Sequence, residues 1–395
     1  MGTRVARAMT AILLIALSGL AAEAKTEKPV EPKLFAGDIK LQLPPIVYAV
    51  PGVEMNIYFD NIVLMVNPRN VVFDVTCQRG TQQNERWTFT PTEKDVGVHP
   101  LRIEVLDQTN AAIARADTTV RVSPANAGVG RPIRALVIGD SLTNASAYTQ
   151  QLVDLCAKED NPLLTLIGTR GRGEKNRHEG YGGWTAERFA THYTGIARGG
   201  AYKKCGSPFI YKDGEEDPKL DLPRYCKEFN EGKPFDVVTM LLGCNDTFSS
   251  TDETIEERID RMFTHYETLV KMVREHNEDA LIGALLLVPP AATQDAFGTN
   301  YRCSQTRWQY KRNQHRVVER MMAQFGGREG DNLFLLASYT NLDCVHNYPK
   351  RTAPWNSSTT AKGTRLSNGV HPATEGYKQI GDTIYCWLKA MLADK

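Results

Sequence analysis

The chain reads as an all-β segment followed by an α/β domain on a parallel sheet, and three observations lead there. From about Asp38 to Val122, short runs alternate apolar and polar residues with a period of two, the mark of half-buried strands. A stretch of small residues bounded by Pro and Gly, Ser123 to Pro132, then interrupts the pattern. Beyond it, near-continuous apolar runs of strand length alternate with helical stretches, as in a parallel sheet covered on both faces.

The elements follow in chain order. Arg4 and Arg7 precede an apolar run from Ala11 to Ala22, and Ala22-Glu23-Ala24 places small residues where a signal peptidase cuts. Residues 1–24 are therefore expected to be a signal peptide. The mature protein would start near Lys25 and be exported, to the periplasm or beyond. No Cys follows the apolar run to take a lipid. Ile39-Leu41-Leu43, Met55-Ile57-Phe59, Val71-Phe73-Val75 and Leu101-Ile103-Val105 are expected strands, with a further one at Thr118–Val122. Together they suggest an immunoglobulin-like β-sandwich over residues 25–126, by pattern only, since the Cys–Trp–Cys spacing of that fold is missing. Residues 127–132 form the linker, and 133–395 the second domain. There the expected strands are Ile133–Ile138, Leu163–Ile167, Val237–Leu242, Leu281–Val288 and Leu333–Leu336. The expected helices are Ala145–Ala157, Ile255–His276, Gln305–Gln324 and Ala373–Leu392.

The 395 residues carry 47 basic and 46 acidic side chains for a net charge of +1, so no global field points to nucleic acid or an anionic membrane. No stretch is long and apolar enough to span a bilayer comfortably. Eight Cys in an exported chain allow disulfides. Cys205 and Cys226, in one polar insertion, are the first candidate pair, whereas Cys156, Cys244 and Cys386 read as small buried hydrophobes. No Cys/His spacing suggests zinc, and no metal or cofactor is expected.

Four short segments carry the chemistry: Gly139-Asp140-Ser141-Leu142, Gly180-Tyr181-Gly182-Gly183-Trp184-Thr185, Gly243-Cys244-Asn245-Asp246 and Asn368-Gly369-Val370-His371-Pro372. Ser141 follows a strand and opens a helix, at the sheet edge where ligands bind, with helix N–H groups beside it. His371, fixed at a helix entrance by Pro372, could serve as general base. Taken singly, each has a structural use as cap or turn. Their joint occurrence in this order resembles the SGNH (GDSL-type) hydrolase family over roughly the last two-thirds of the chain.

That resemblance implies a flavodoxin-like three-layer domain and ester hydrolysis through an acyl-serine. Ser141 would be the nucleophile and His371 the base. The Ser141 N–H, the Gly183 N–H (or that of Gly182) and the Asn245 amide would form the oxyanion hole. One position departs from the family: the usual Asp-x-x-His is Asn368-x-x-His371 here. Asn368 can accept a hydrogen bond from the imidazole but cannot supply charge. The alternative orienters are a backbone carbonyl or another acid such as Asp343.

Substrate expectations rest on less. Export and an N-terminal β-segment suggest an acetylated polysaccharide or small ester, with O-deacetylation as the reaction. A lipase or thioesterase, or a carbohydrate-binding protein with a degenerate hydrolase domain, are the alternatives. Arg177 and His178, just before the glycine turn, and Trp184 after it, are candidate substrate contacts. The basic segment Arg302–Arg316, with Trp308 and Tyr310, reads better as an amphipathic helix than as a cleft for an acidic glycan.

Overall fold

A computed structural model describes residues 39–195 and 204–394, and residues 38–395 belong to one compact unit. The expected signal segment and mature start lie outside the described residues.

The β-rich segment comprises β1 (Ile46–Ala49), β2 (Met55–Tyr58), a one-turn helix α1 (Phe59–Ile62), β3 (Val72–Thr76), β4 (Thr81–Gln82), β5 (Arg86–Phe89), β6 (Gly97–Leu106) and β7 (Ala112–Val122). One sheet runs β1-β7-β6-β3 and a second β2-β5-β4. Stacked Phe59 and Phe73, 4.6 Å between ring centroids, join them. Alternation predicts β2, β3, β6 and β7. The Ile39–Leu43 run, expected as a strand, supplies only an isolated bridge between Leu41 and Val63. Pro44 and Pro45 follow it directly and have no N–H to donate to a ladder.

The second part opens with β8 (Pro132–Gly139), α2 (Ser141–Asn144), α3 (Ala147–Cys156) and β9 (Leu163–Ile167). The hairpin β10 (Arg170–Arg172) and β11 (Asn176–Gly180), helix α4 (Ala186–Thr191), the short pair β12 (Ile210–Tyr211) and β13 (Lys219–Leu220), and α5 (Leu222–Phe229) come next. Then follow β14 (Val237–Leu241), α6 (Cys244–Thr247), α7 (Ile255–His276), β15 (Leu281–Leu285), α8 (Gln294–Tyr301), α9 (Arg307–Phe325) and β16 (Leu333–Leu336). The chain ends with α10 (Ser338–Asn341), the hairpin β17 (Lys350–Pro354) and β18 (Lys362–Leu366), and α11 (Thr374–Ala393). All five expected parallel strands form, in the order β9-β8-β14-β15-β16. Numbered by appearance this is 2-1-3-4-5, the flavodoxin-like order, whose direction reverses between β8 and β14.

The sheet is wider than the five strands expected. β9 pairs along the first half of β8, and β11 takes over at its end, with Glu179 beside Ile138 and Gly180 beside Gly139. That short parallel ladder carries the Gly180–Thr185 segment to the strand end from which Ser141 emerges.

The β-rich segment is bonded into the second part. The Asn56 N–H and its Nδ2 both donate to Asn341 Oδ1 at 2.9 and 3.1 Å. Asn61 Nδ2 donates to the carbonyls of Tyr339 and Leu342, both at 2.8 Å. Asp60 receives Arg307 at 2.9 Å and Lys311 at 2.5 Å, and the Lys311 side chain is only 4% exposed. An ion pair this enclosed survives only because its partners compensate the lost hydration.

Cys226 is a free thiol, as are Cys77, Cys156, Cys244, Cys303, Cys344 and Cys386. The candidate pair Cys205–Cys226 is therefore not a bridge. Cys226 is turned inward from α5 and buried, as are Cys156, Cys244 and Cys386. No helix among the described residues is long and apolar enough to cross a membrane.

Candidate active site

The nucleophile turn is set by two residues before Ser141. A Cβ at Gly139 would strike Thr143 Oγ1 and lie 3.0 Å from the Leu241 carbonyl, so the strand end needs Gly to approach β14. Asp140 caps α2, its Oδ1 accepting the Leu142 N–H at 2.9 Å. Ser141 is then the first helical residue, and its N–H is among those a helix leaves without an intrahelical acceptor.

His371 arrives from 230 residues away, and its Nε2 lies 2.9 Å from Ser141 Oγ. Its loop is fastened on several sides. The Gly369 carbonyl accepts from the Ala291 N–H at 3.0 Å, and the Ala373 N–H donates to the Asn347 carbonyl at 2.9 Å. The Gly369 N–H donates to Asn300 Oδ1 at 3.2 Å. Burial holds the imidazole pKa below its ordinary 6.5. A neutral ring facing a serine hydroxyl is the state a general base needs.

Asn368 does not do what the sequence suggested. Its Oδ1 accepts the backbone N–H groups of Val370 at 3.0 Å and His371 at 2.9 Å, not the imidazole ring. Asp343, the alternative acid, is also occupied elsewhere. Its Oδ1 accepts the N–H groups of Val345 and His346, and its Oδ2 meets His346 Nδ1 at 2.9 Å. Ser141 and His371 thus stand as a dyad, with no carboxylate paired to the His371 ring among the described residues.

Gly183 and Asn245, the expected oxyanion donors beyond Ser141, are held in different ways. Gly183 occupies the third position of a turn closed by the Trp184 N–H on the Tyr181 carbonyl at 3.1 Å. Its φ of +76° is a conformation that favours glycine, which Gly182 does not share. Asn245 is more committed. Its Nδ2 donates to Asp140 Oδ2 at 2.9 Å and to the Trp184 carbonyl at 3.1 Å, tying the nucleophile turn to the glycine turn. Sharing one of those hydrogens would be the way for it to reach an oxyanion. Burial pushes Asp140 up to about 7, with the Asp246 charge adding and the Leu142 N–H opposing. Asp246, which accepts the Ala186 N–H at 3.1 Å, is likewise raised to about 7 by burial.

Two of the three candidate substrate contacts are enclosed by the protein. Trp184 is 0% exposed, packed against Tyr181 and Phe189, and builds the turn rather than touching a ligand. His178 is 1% exposed, with Nδ1 accepting the Gly180 N–H at 3.0 Å and Nε2 against Ser146 Oγ at 2.8 Å. Burial first, then the neighbouring Arg177, Arg170 and Arg172, bring its pKa down to about 4, so it braces the turn as a neutral ring. Arg177, half-buried, donates its Nε to the Gly168 carbonyl at 3.1 Å, fastening β11 to the segment that leaves β9. The basic residues of α9 are matched by acids, Arg312 by Asp252 and Arg316 by Glu256, as an amphipathic helix requires.

Sequence reading missed Glu179. Fully buried, it accepts from the Thr169 N–H and Oγ1, Tyr181 Oη and Tyr225 Oη, holding the strand just before Gly180. Its only signal was an acid beside the glycine segment. No group of side chains suited to a metal occurs among the described residues.

The model of the GDSL-like lipase/acylhydrolase family matches residues 137–379. No curated protein matches the chain. Among solved structures, it is similar to a carbohydrate esterase family 3 protein from Talaromyces cellulolyticus, at 14% identity over 67% of this chain and 99% of that one, TM-score 0.37. It is also similar to a Clostridium thermocellum family 3 carbohydrate esterase, at 15% identity, 66% and 98% coverage, TM-score 0.39. A carbohydrate acetylesterase family member from Sinorhizobium meliloti aligns at 15% identity, 66% and 99% coverage, TM-score 0.35.

Proposed function

The chain belongs to the GDSL-like lipase/acylhydrolase family, and from that premise we propose that it is an exported serine esterase that removes acetyl groups from a polysaccharide. The observation that carries the esterase reading is the 2.9 Å contact between Ser141 Oγ and His371 Nε2.

In this reading His371 takes the Ser141 proton as Oγ attacks the ester carbonyl. The Ser141 and Gly183 N–H groups meet the oxygen as it becomes negative, joined by Asn245 if it turns one hydrogen from its present acceptors. Donors of this kind are worth about 3 to 4 kcal/mol each, because they strengthen as charge develops. The imidazolium then protonates the leaving alcohol, and water deprotonated by the same ring releases the acid from Ser141. Burial keeps the resting His371 ring in its base form at neutral pH, while the imidazolium that forms has no carboxylate beside it among the described residues.

The acetyl and glycan parts rest on the expected export and on the polar character of the insertions Thr191–Pro234 and Pro290–Leu366. One observation favours a lipase-like second reading. Phe248 and Tyr301, only partly buried, lie on the cluster of Phe297, Tyr310 and Val370 beside the catalytic loop, where a longer acyl chain could rest.

Comparing p-nitrophenyl acetate with the octanoate ester decides between them. The acetate is expected to be hydrolysed much faster, with turnover lost in Ser141→Ala. A preference for octanoate rejects the deacetylase reading, and equal rates for wild type and Ser141→Ala reject the serine mechanism.

A further inference from the structure

We propose that the hairpin β17–β18 is a binding arm for an acidic glycan, one whose sugars carry carboxylates. The inference rests on the deacetylase reading and adds the class of polymer.

The hairpin leads straight into the catalytic loop. The Ser367 N–H closes its base on the Pro349 carbonyl at 2.7 Å, and Asn368 and His371 follow at once. Between Lys350 and Leu366 it holds four basic residues and no acid, in a chain of net charge +1. Register places Arg351 directly opposite Arg365, and Ala353 opposite Gly363, on one face of the ribbon. Like charges directly opposite each other destabilise a strand pair. Among the described residues Arg365 meets only Asp295, at 4.0 Å, as an ion-pair partner, and Arg351 has none.

The same face carries Trp355. Its indole lies across Gly363, where a Cβ would strike the ring, and the Arg365 guanidinium sits 4.8 Å from the ring centroid. It is thereby held flat while 50% exposed. An indole fixed from behind with its surface open suits the C–H face of a sugar ring, and the flanking guanidinium groups suit its carboxylate. Beside the arm, an open depression of about 680 Å³ is lined by Asp295, Thr299, Arg302 and Arg351. Arg302 also lacks an ion-pair partner among the described residues, so two unmatched guanidinium groups face this space.

Antiparallel strands advance about 3.4 Å per residue, so Gly363, which lies beneath the indole, is three steps or about 10 Å from Leu366 at the hairpin base. The ligand of this proposal is therefore a polymer several sugars long, able to lie along the arm beyond the sugar that carries the ester.

The test uses the full mature protein in a Ser141→Ala background, with polygalacturonate as the acidic probe and a neutral mannan as the comparison. Affinity electrophoresis and calorimetry are expected to show polygalacturonate bound at least about tenfold more tightly than mannan, weakening as salt rises from about 50 to about 500 mM. Arg351→Gln and Trp355→Ala, checked for folding by thermal melting, are each expected to lose about fivefold or more in affinity. In the active protein the same changes should raise KM for acetylated polygalacturonate with kcat nearly constant. Equal binding of the two glycans, or variants that bind as wild type does, overturns the inference. Should the arm bind the acidic polymer while no acetate is released from it, the arm stands and the deacetylase reading falls.

Discussion

Replacing Asn368 separates two ways of orienting His371. The structure supplies its own template in the Asp343-Cys344-Val345-His346 turn. There the Asp Oδ1 accepts the N–H groups of Val345 and His346 at 2.9 and 2.8 Å, while Oδ2 meets the ring Nδ1 at 2.9 Å. The Asn368 turn makes the same two backbone bonds, at 3.0 and 2.9 Å, but its second atom is a donor nitrogen. Asn368→Asp should keep the backbone and bring an anionic oxygen to Nδ1. A carboxylate at that range raises an imidazole pKa by about one unit or more. In wild type, burial lowers the His371 pKa, so the base form persists below pH 6.5 and kcat/KM falls only as pH drops through that lowered value. The variant's acid limb should move up by about one unit, with kcat rising by up to about tenfold as the imidazolium gains a partner. Asn368→Ala leaves two half-buried N–H groups unpaired, a cost of about 1 to 2 kcal/mol, or about tenfold in kcat/KM, with the acid limb unmoved. The assay is a pH profile of p-nitrophenyl acetate hydrolysis. An Asp variant whose acid limb stays in place, or an Ala variant within about threefold of wild type, would refute this account of the turn.

Asn245→Ala should lower kcat by about 10² to 10³ with little change in KM if the amide serves the oxyanion, and by under tenfold if it only ties Asp140 to the Trp184 carbonyl. Gly180→Ala should nearly abolish turnover, because the added Cβ would lie 2.5 Å from the Asn144 N and 2.7 Å from the Thr143 carbonyl carbon, both in the helix that bears Ser141. Steady-state kinetics on protein shown by circular dichroism to be folded checks both. Asp60→Ala strips Lys311 and Arg307 of their acid, and with Lys311 almost fully enclosed the cost should be about 3 kcal/mol, read as a lower urea midpoint at unchanged slope.

Most of the α/β part was legible because β8, β14, β15 and β16 are apolar and buried along nearly their whole length and its long helices present one apolar stripe. Leu163–Ile167 and Leu333–Leu336 came out at their observed ends, and helix Ile255–His276 residue for residue. The β10–β11 hairpin was not. Its residues, Arg170 to Gly180, are polar and basic, and they form strands because β8 offers an edge and Arg177, Glu179 and His178 satisfy nearby polar groups. Such tertiary pairing leaves no period in the sequence. Of the other strands that escaped, β4 has only two residues, and β1, buried at three of its four positions, shows no alternation.

For the site, residue types were legible and their division of labour was not. His178 and Trp184 have the chemistry of ligand contacts, and only burial shows that they are bracing the glycine turn. The acid question shows the limit most sharply. The chain contains a full Asp-x-x-His at Asp343–His346 and a depleted Asn-x-x-His at Asn368–His371, and a motif search would prefer the former. Both turns fold alike, through an oxygen that accepts two backbone N–H groups, and that task is indifferent to charge. What singles out His371 is its distant partner: its Nε2 faces Ser141, whereas His346 leaves its side chain 64% exposed. The spacing in these motifs therefore records a shared turn geometry, and the catalytic assignment belongs to whichever turn the sheet delivers to the nucleophile. The turn at Asn368 needs a side-chain oxygen for two backbone N–H groups, which an Asn supplies as well as an Asp.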